Sequence, residues 1–256
     1  MKYYEKLLSM NCFTLADVCI LTGNKNTASS LLQSYINKGY IKSVKRNLYV
    51  AINLADNAPV ANRYEIGSQI TASSYISHHS ALAYYGYTNQ VMNEVYISSD
   101  TVFRSFEFEG LKYKFSKSRI DEGIVNMGDD VKVTDIERTV IDSINDFEKI
   151  GGLEELLRSL SLIPFLNEKK LLKYLNDYDK QILFQKTGYI LEHFKYELNL
   201  SDDFFDSCKS EIKRSIQYLS KSFNKEHVKY DSQWQMFVPK NLLSLISEGG
   251  SEDVDI

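Results

Sequence analysis

The chain has 256 residues, 43% of them hydrophobic, 3 prolines and a formal net charge of −4. That length suits one large or two ordinary domains, and the apolar content excludes a chain too polar to build a core. No apolar run reaches the ~18 residues of a membrane span, and the start Met-Lys-Tyr-Tyr-Glu-Lys lacks a secretory apolar stretch.

A cytoplasmic protein without membrane contact is therefore expected. Cys12, Cys19 and Cys208 make an odd set. Cys12 and Cys19 stand near apolar neighbours, and buried thiols fit them better than a zinc pair or a disulfide.

Residues 1 to 13, with Tyr3, Tyr4, Leu7, Leu8 and Met10, are expected to form a first helix. Thr14 is a good N-cap for a second helix, with Asp17 at the capping-box position. Leu15, Val18, Cys19, Ile20 and Leu21 give it an apolar stripe, and Thr22-Gly23-Asn24 breaks it as a helix-turn-helix turn would. A third helix is expected from Asn26, whose side chain can cap it. Ala28, Leu31, Leu32, Tyr35 and Ile36 share its buried face, and Gly39 sits where a left-handed C-terminal residue is needed.

The other face carries Thr27, Ser29, Ser30, Gln33 and Asn37 and no carboxylate, and the N-terminal part of the helix adds Lys25 and Asn26. Side chains of this kind read base edges and do not repel phosphate. After Gly39 the period changes to 2, and 40–44 and 48–52 read as paired strands. Lys45, Arg46 and Asn47 lie between them, with Lys42 nearby, as a wing that could reach phosphate or the minor groove. The blander alternative is a structural helical hairpin followed by a charged turn.

Charge supports the first alternative. Residues 1–55 hold seven cations against Glu5 and Asp17, an excess of five, which leaves −9 for the rest. A basic head on an acidic body suits a DNA reader whose second part has another task. The expected domains are 1–55, a helix-turn-helix with a wing, and 56–246, a larger mixed domain, joined through Asn53 to Ala61. Residues 247–256, rich in Gly, Ser and acids, are expected to be a disordered tail.

Asn62 to Ile76 reads as helix and then strand. In Ile76-Ser-His-His-Ser-Ala-Leu-Ala-Tyr-Tyr-Gly86, Ser77 is expected to cap a short helix that Gly86 ends. His78 and His79 project ~100° apart on a helix, so a shared metal ion is not expected. Residues 94–98 alternate as a strand. Across Glu109-Gly110 a hairpin is expected to pair Phe108 with Leu111, Glu107 with Lys112 and Phe106 with Tyr113. Another strand pair is expected around Gly128-Asp129-Asp130, then a helix capped by Thr134, with Glu137 completing the box. Four helices follow to about Ser220, the last from Ser201 through Leu219, and Val228 to Val238 returns to an extended pattern. The fold class expected is α+β: an N-terminal winged helix-turn-helix, short antiparallel strands, and a helical C-terminal part.

The chain resembles the AbiEi-type antitoxins, regulators in the AbiE abortive-infection toxin–antitoxin systems of bacteria. The resemblance rests on Gly39-Tyr-Ile with Leu48-Tyr-Val, on Ile76 to Gly86, on Val95-Tyr-Ile-Ser98, on Asp135-Ile-Glu-Arg-Thr-Val-Ile-Asp142, and on Trp234 to Pro239. It implies a type IV antitoxin that represses its own operon by binding promoter inverted repeats in double-stranded DNA. It also implies a cognate toxin of nucleotidyltransferase type, counteracted without a stable protein complex, in defence against phage. No enzymatic activity, catalytic residue, cofactor or metal is expected of this chain. The alternative is a toxin-binding interaction module whose winged helix is only structural.

Overall fold

The computed structural model describes residues 2–213, 216–220 and 227–248. The architecture is mixed α+β, in two compact units. The first comprises residues 1–76, 92–118 and 124–133, and the second 77–91, 119–123 and 134–256. The division thus does not fall at residue 55.

In the first unit, α1 (Tyr4–Leu8) is shorter than expected. Asn11 turns the chain at φ 55, and β1 (Cys12–Phe13) pairs antiparallel with Val50 and Tyr49. Helix α2 (Leu15–Thr22) starts in the capping box expected of it: Asp17 N–H donates to Thr14 Oγ1, and Thr14 N–H donates to Asp17 Oδ2 at 2.7 Å. Gly23, at φ 72, ends it in a left-handed turn that a Cβ would strain.

Helix α3 (Lys25–Asn37) is capped by Asn24, not by Asn26. Four polar residues in a row compete for that role, and only Asn24 has the extended backbone of a cap. At the other end Tyr40 N–H donates to Tyr35 O and Gly39 N–H to Ile36 O, which closes the helix in a Schellman motif. The Tyr35 and Tyr40 rings meet edge to face across it.

Strands β2 (Ile41–Lys45) and β3 (Leu48–Asn53) form the hairpin, with Lys42 opposite Val50 and an irregularity between Ser43 and Lys45. The chain from Asn53 to Ala61 is no free joint, because β4 (Ala58–Pro59) pairs back onto Ile52 and Asn53. Leu7, Phe13, Val18, Ala28, Leu32, Ile41 and Ala51 form the core beneath these elements. Each large side chain there contributes ~1.5–3 kcal/mol by burial.

Helix α4 (Arg63–Ser68), capped by Asn62 and Glu65, leads to β5 (Tyr75–Ile76). The chain passes through α5 (His78–Tyr84) in the second unit and returns at β6 (Glu94–Ser99), β7 (Phe106–Phe108), β8 (Leu111–Lys117), β9 (Ile124–Asn126) and β10 (Lys132–Thr134). The sheet order is β7-β8-β6-β5-β10-β9, with β6/β8 and β5/β10 parallel. The expected hairpin register is the observed one, Phe106 opposite Tyr113, Glu107 opposite Lys112 and Phe108 opposite Leu111. Gly67 lets α4 lie on this sheet: a Cβ there would come within 2.5 Å of Ile97 Cδ1.

The second unit is mostly helical. In α6 (Ile136–Asn145) the N-cap is Asp135, one residue after the expected Thr134. Asp135 Oδ1 accepts the Arg138 N–H at 2.9 Å, while Thr134 Oγ1 faces Thr139 Oγ1 at 2.7 Å. Glu137 turns away from the cap and accepts from Asn167 N–H at 3.0 Å. A 3-10 turn (Phe147–Ile150) and two positive-φ glycines, Gly151 and Gly152, precede α7 (Leu153–Leu162). Then come α8 (Glu168–Tyr178), α9 (Gln181–Glu192) and α10 (Asp202–Ser210).

Helix α10 stops at Ser210, short of the expected Leu219. Beyond it β11 (Gln217–Tyr218) pairs parallel with β13 (Met236–Pro239), which also pairs antiparallel with β12 (Val228–Asp231). Leu219 is buried there and its N–H donates to Phe237 O at 2.9 Å, so strand pairing outweighs its helical spacing. Trp234 is fully buried against Gly188, where a Cβ would stand 2.0 Å from the ring, and its indole N–H donates to Glu192 at 2.9 Å. Helix α11 (Ser244–Glu248) closes the described chain. It takes in the start of the tail expected over 247–256, and the remainder lies outside the described residues.

Candidate functional site

Burying Ala28, Leu32 and Tyr35 turns the opposite side of α3 to solvent. Lys25, Asn26, Thr27, Ser29, Ser30 and Gln33 are all exposed, and the first turn carries no acid. The structure therefore brings these six expected residues onto one surface. Asn24 Oδ1 takes the N–H groups of Asn26 and Thr27 at 2.8 and 3.1 Å, so the Asn26 amide is not spent on the cap. Gln33 Nε2 donates to Asn37 Oδ1 at 3.1 Å, one turn further on. Ser29, Ser30, Gln33, Ser34, Asn37 and Lys38 line a shallow open depression on this side.

The hairpin residues are placed differently. Lys42 Nζ lies 2.8 Å from Glu109 Oε1, at the turn of the β7–β8 hairpin. Lys45 Nζ donates to Ile70 O at 3.1 Å and stands 5.5 Å from the Phe103 ring centroid. Burial lowers the Lys45 pKa. Asn47 takes the left-handed position of the turn at φ 62, and its Oδ1 accepts the Leu15 N–H at 3.1 Å. Of the four expected wing residues, Arg46 and Asn47 are exposed and Lys42 and Lys45 partly buried, and Asn47 is committed to the start of α2. The physical reason is that the hairpin packs within the first unit instead of projecting from it. A long lysine stem then finds apolar surface and an oxygen at the same time.

Two of these pairings are not read from the sequence. Asn37 is expected on the same face as Gln33, and four residues is a helical spacing at which amides pair, so a local signal for their bond existed. Glu109 lies 67 positions from Lys42, and no local pattern joins them.

The excess of cations lies within the first 55 residues, and the rest of the first unit is acidic, with six cations against eight carboxylates. The first unit holds thirteen cations and ten carboxylates, a net +3, which leaves −7 for the second.

His78 and His79, in the second unit, are buried. Burial, modulated by Asp142 and Lys149, lowers the His78 pKa to about 4 and keeps it neutral near pH 7. His78 Nδ1 faces Ser77 Oγ at 2.9 Å, and Ser77 makes no cap hydrogen bond. His79 Nε2 faces Thr88 Oγ1 at 3.4 Å, and Thr88 donates to Glu155 at 2.5 Å. Among the described residues no three His, Cys, Asp or Glu side chains could hold a metal ion together. Cys12 and Cys208 are free thiols, and burial pushes both up to about 12, away from nucleophilic thiolate. No helix among the described residues is long and apolar enough to cross a membrane.

No protein-family model and no curated protein matches this chain.

Proposed function

We propose that the protein is a DNA-binding antitoxin of AbiEi type. In this proposal it represses its own toxin–antitoxin operon by binding promoter inverted repeats, and it counteracts a nucleotidyltransferase-type toxin without a stable complex. It acts in the cytoplasm and catalyses no reaction. The observation that carries the DNA part is the exposed, carboxylate-free face of α3. The order of elements in residues 12–53, strand β1, helix, turn at Gly23, helix and hairpin, supports a winged helix-turn-helix reading. In such a fold the N-terminal part of the second helix enters the major groove. On this reading Lys25, Asn26, Thr27, Ser29, Ser30 and Gln33 meet base edges or phosphates, and Arg46 meets the flanking backbone.

The antitoxin part rests on the resemblance. Its test is genetic: a reporter fused to the operon's own promoter, and a toxin co-expressed from a second plasmid. Repression and rescue are the expected results. Absence of both removes the proposal.

A second reading has one specific observation in its favour. Lys42, Lys45 and Asn47 each bond to a protein group, as they would in a winged helix kept for structure alone. A toxin-binding module would then rescue cells through a direct complex, without repressing the reporter.

A further inference from the structure

We infer that Glu109 is a built-in competitor for phosphate: it holds Lys42 in the free protein, and DNA binding exchanges this carboxylate for the nucleic-acid backbone. The inference rests on the DNA-binding function proposed above and names a residue that sets the strength of that binding.

Three observations converge on Glu109. Its Oε1 lies 2.8 Å from Lys42 Nζ, the cation on the strand leading to the wing turn. The two side chains keep 37% and 42% of their surface exposed, so water and salt reach the pair. The backbone of Glu109 is left-handed, φ 49, at the tip of a two-residue hairpin turn. Asn, Asp or Gly suits that turn position best, so Glu is an unfavourable choice for the turn itself. Its carboxylate is long enough to reach Lys42.

The chemistry follows from the exposure. An exposed lysine–carboxylate pair is weak and screened by salt. A duplex presents a row of phosphates whose neutralisation releases counterions, so Lys42 gains by the exchange. Lys45 differs, because its ammonium stands over the Phe103 ring and donates to the Ile70 carbonyl. It stays with the protein. Glu109 therefore lowers affinity for every duplex alike, since the contact it opposes carries no sequence information.

The test compares the full-length protein with Glu109→Gln, Lys42→Gln and the double variant, on a short duplex of arbitrary sequence. Glu109→Asn serves as a second variant, because it suits the left-handed turn and is too short to hold Lys42. Equal melting temperatures show that all are folded. Glu109→Gln and Glu109→Asn should bind about two- to fivefold more tightly at low salt, the range an exposed ion pair allows. Lys42→Gln should bind less tightly, and the double variant should match it. Unchanged binding by both Glu109 variants overturns the inference while the DNA-binding function stands. So does a full gain in the Lys42→Gln background, which would make Glu109 a bare repelling charge. If wild type and all variants bind no duplex, the DNA-binding function fails and the inference with it.

Discussion

Gln33 and Asn37 are bonded one helical turn apart on the exposed side of α3, amide nitrogen to amide oxygen at 3.1 Å. The bond fixes which end of the Gln33 amide points along the helix. The Gln33 oxygen and its second N–H remain for a partner in front of the helix. An adenine edge takes one donor and one acceptor, so a side chain held in this way is already oriented for it.

Gln33→Ala should leave the melting temperature nearly unchanged and cost ~1–3 kcal/mol of preference for the operator over random DNA. Competition binding checks this. Asn37→Ala should weaken the preference less, because it only frees the Gln33 rotamer. Retained preference in both Gln33→Ala and Ser29→Ala would place base reading elsewhere.

Asn24 and Asn26 should separate folding from recognition. Asn24 caps α3 through two N–H groups, and Asn24→Ala should lower stability by ~0.5–2 kcal/mol, read by thermal melting. Asn26→Ala should melt with wild type and change DNA preference. The reverse outcome would return the cap to Asn26.

The wing cations should divide in the same way. Arg46→Ala should reduce the slope of log K against log salt by ~0.9, one phosphate contact. Lys45→Ala should keep the slope and lower the melting temperature, because the ammonium contacts with the Phe103 ring and the Ile70 carbonyl are lost. A slope change for Lys45→Ala equal to that for Arg46→Ala would contradict its placement.

Much of this region was legible because its signals are local. The capping box at Thr14 and Asp17 and the left-handed residues at Gly23 and Gly39 depend on neighbours a few positions away. The Phe106–Tyr113 register follows from strict alternation on both sides of a two-residue turn. What could not be read depends on distance along the chain. Strand β1 is two residues long and exists because Val50 and Tyr49 pair with it. The positions of Lys42 and Lys45 depend on Glu109, Ile70 and Phe103, which no period in the wing announces. Leu219 fits a helical stripe and lies instead beside a strand formed with Phe237. The α3 face was legible as a set, and its cap was displaced by two residues.

His78 gives the second unit a pH dependence with a definite sign. Its folded pKa, about 4, lies below the ordinary 6.5, so unfolding takes up a proton between these values. Its contribution to stability is present above pH 6.5 and is lost as the pH falls toward 4. The amount is on the order of 3 kcal/mol from the size of the shift. His78→Asn, which tolerates the φ of 52, should flatten the decline in melting temperature over that window. An unchanged decline would assign it to other groups.

The central claim, that α3 reads the operator, is tested most directly by one titration. Binding of the full-length protein to its own promoter and to a scrambled duplex is measured by fluorescence anisotropy at several salt concentrations. The account predicts parallel, negative salt slopes for the two duplexes and a tighter complex with the promoter, the gap closing in Gln33→Ala. Equal affinity for both duplexes, or a gap that Gln33→Ala leaves intact, would contradict it.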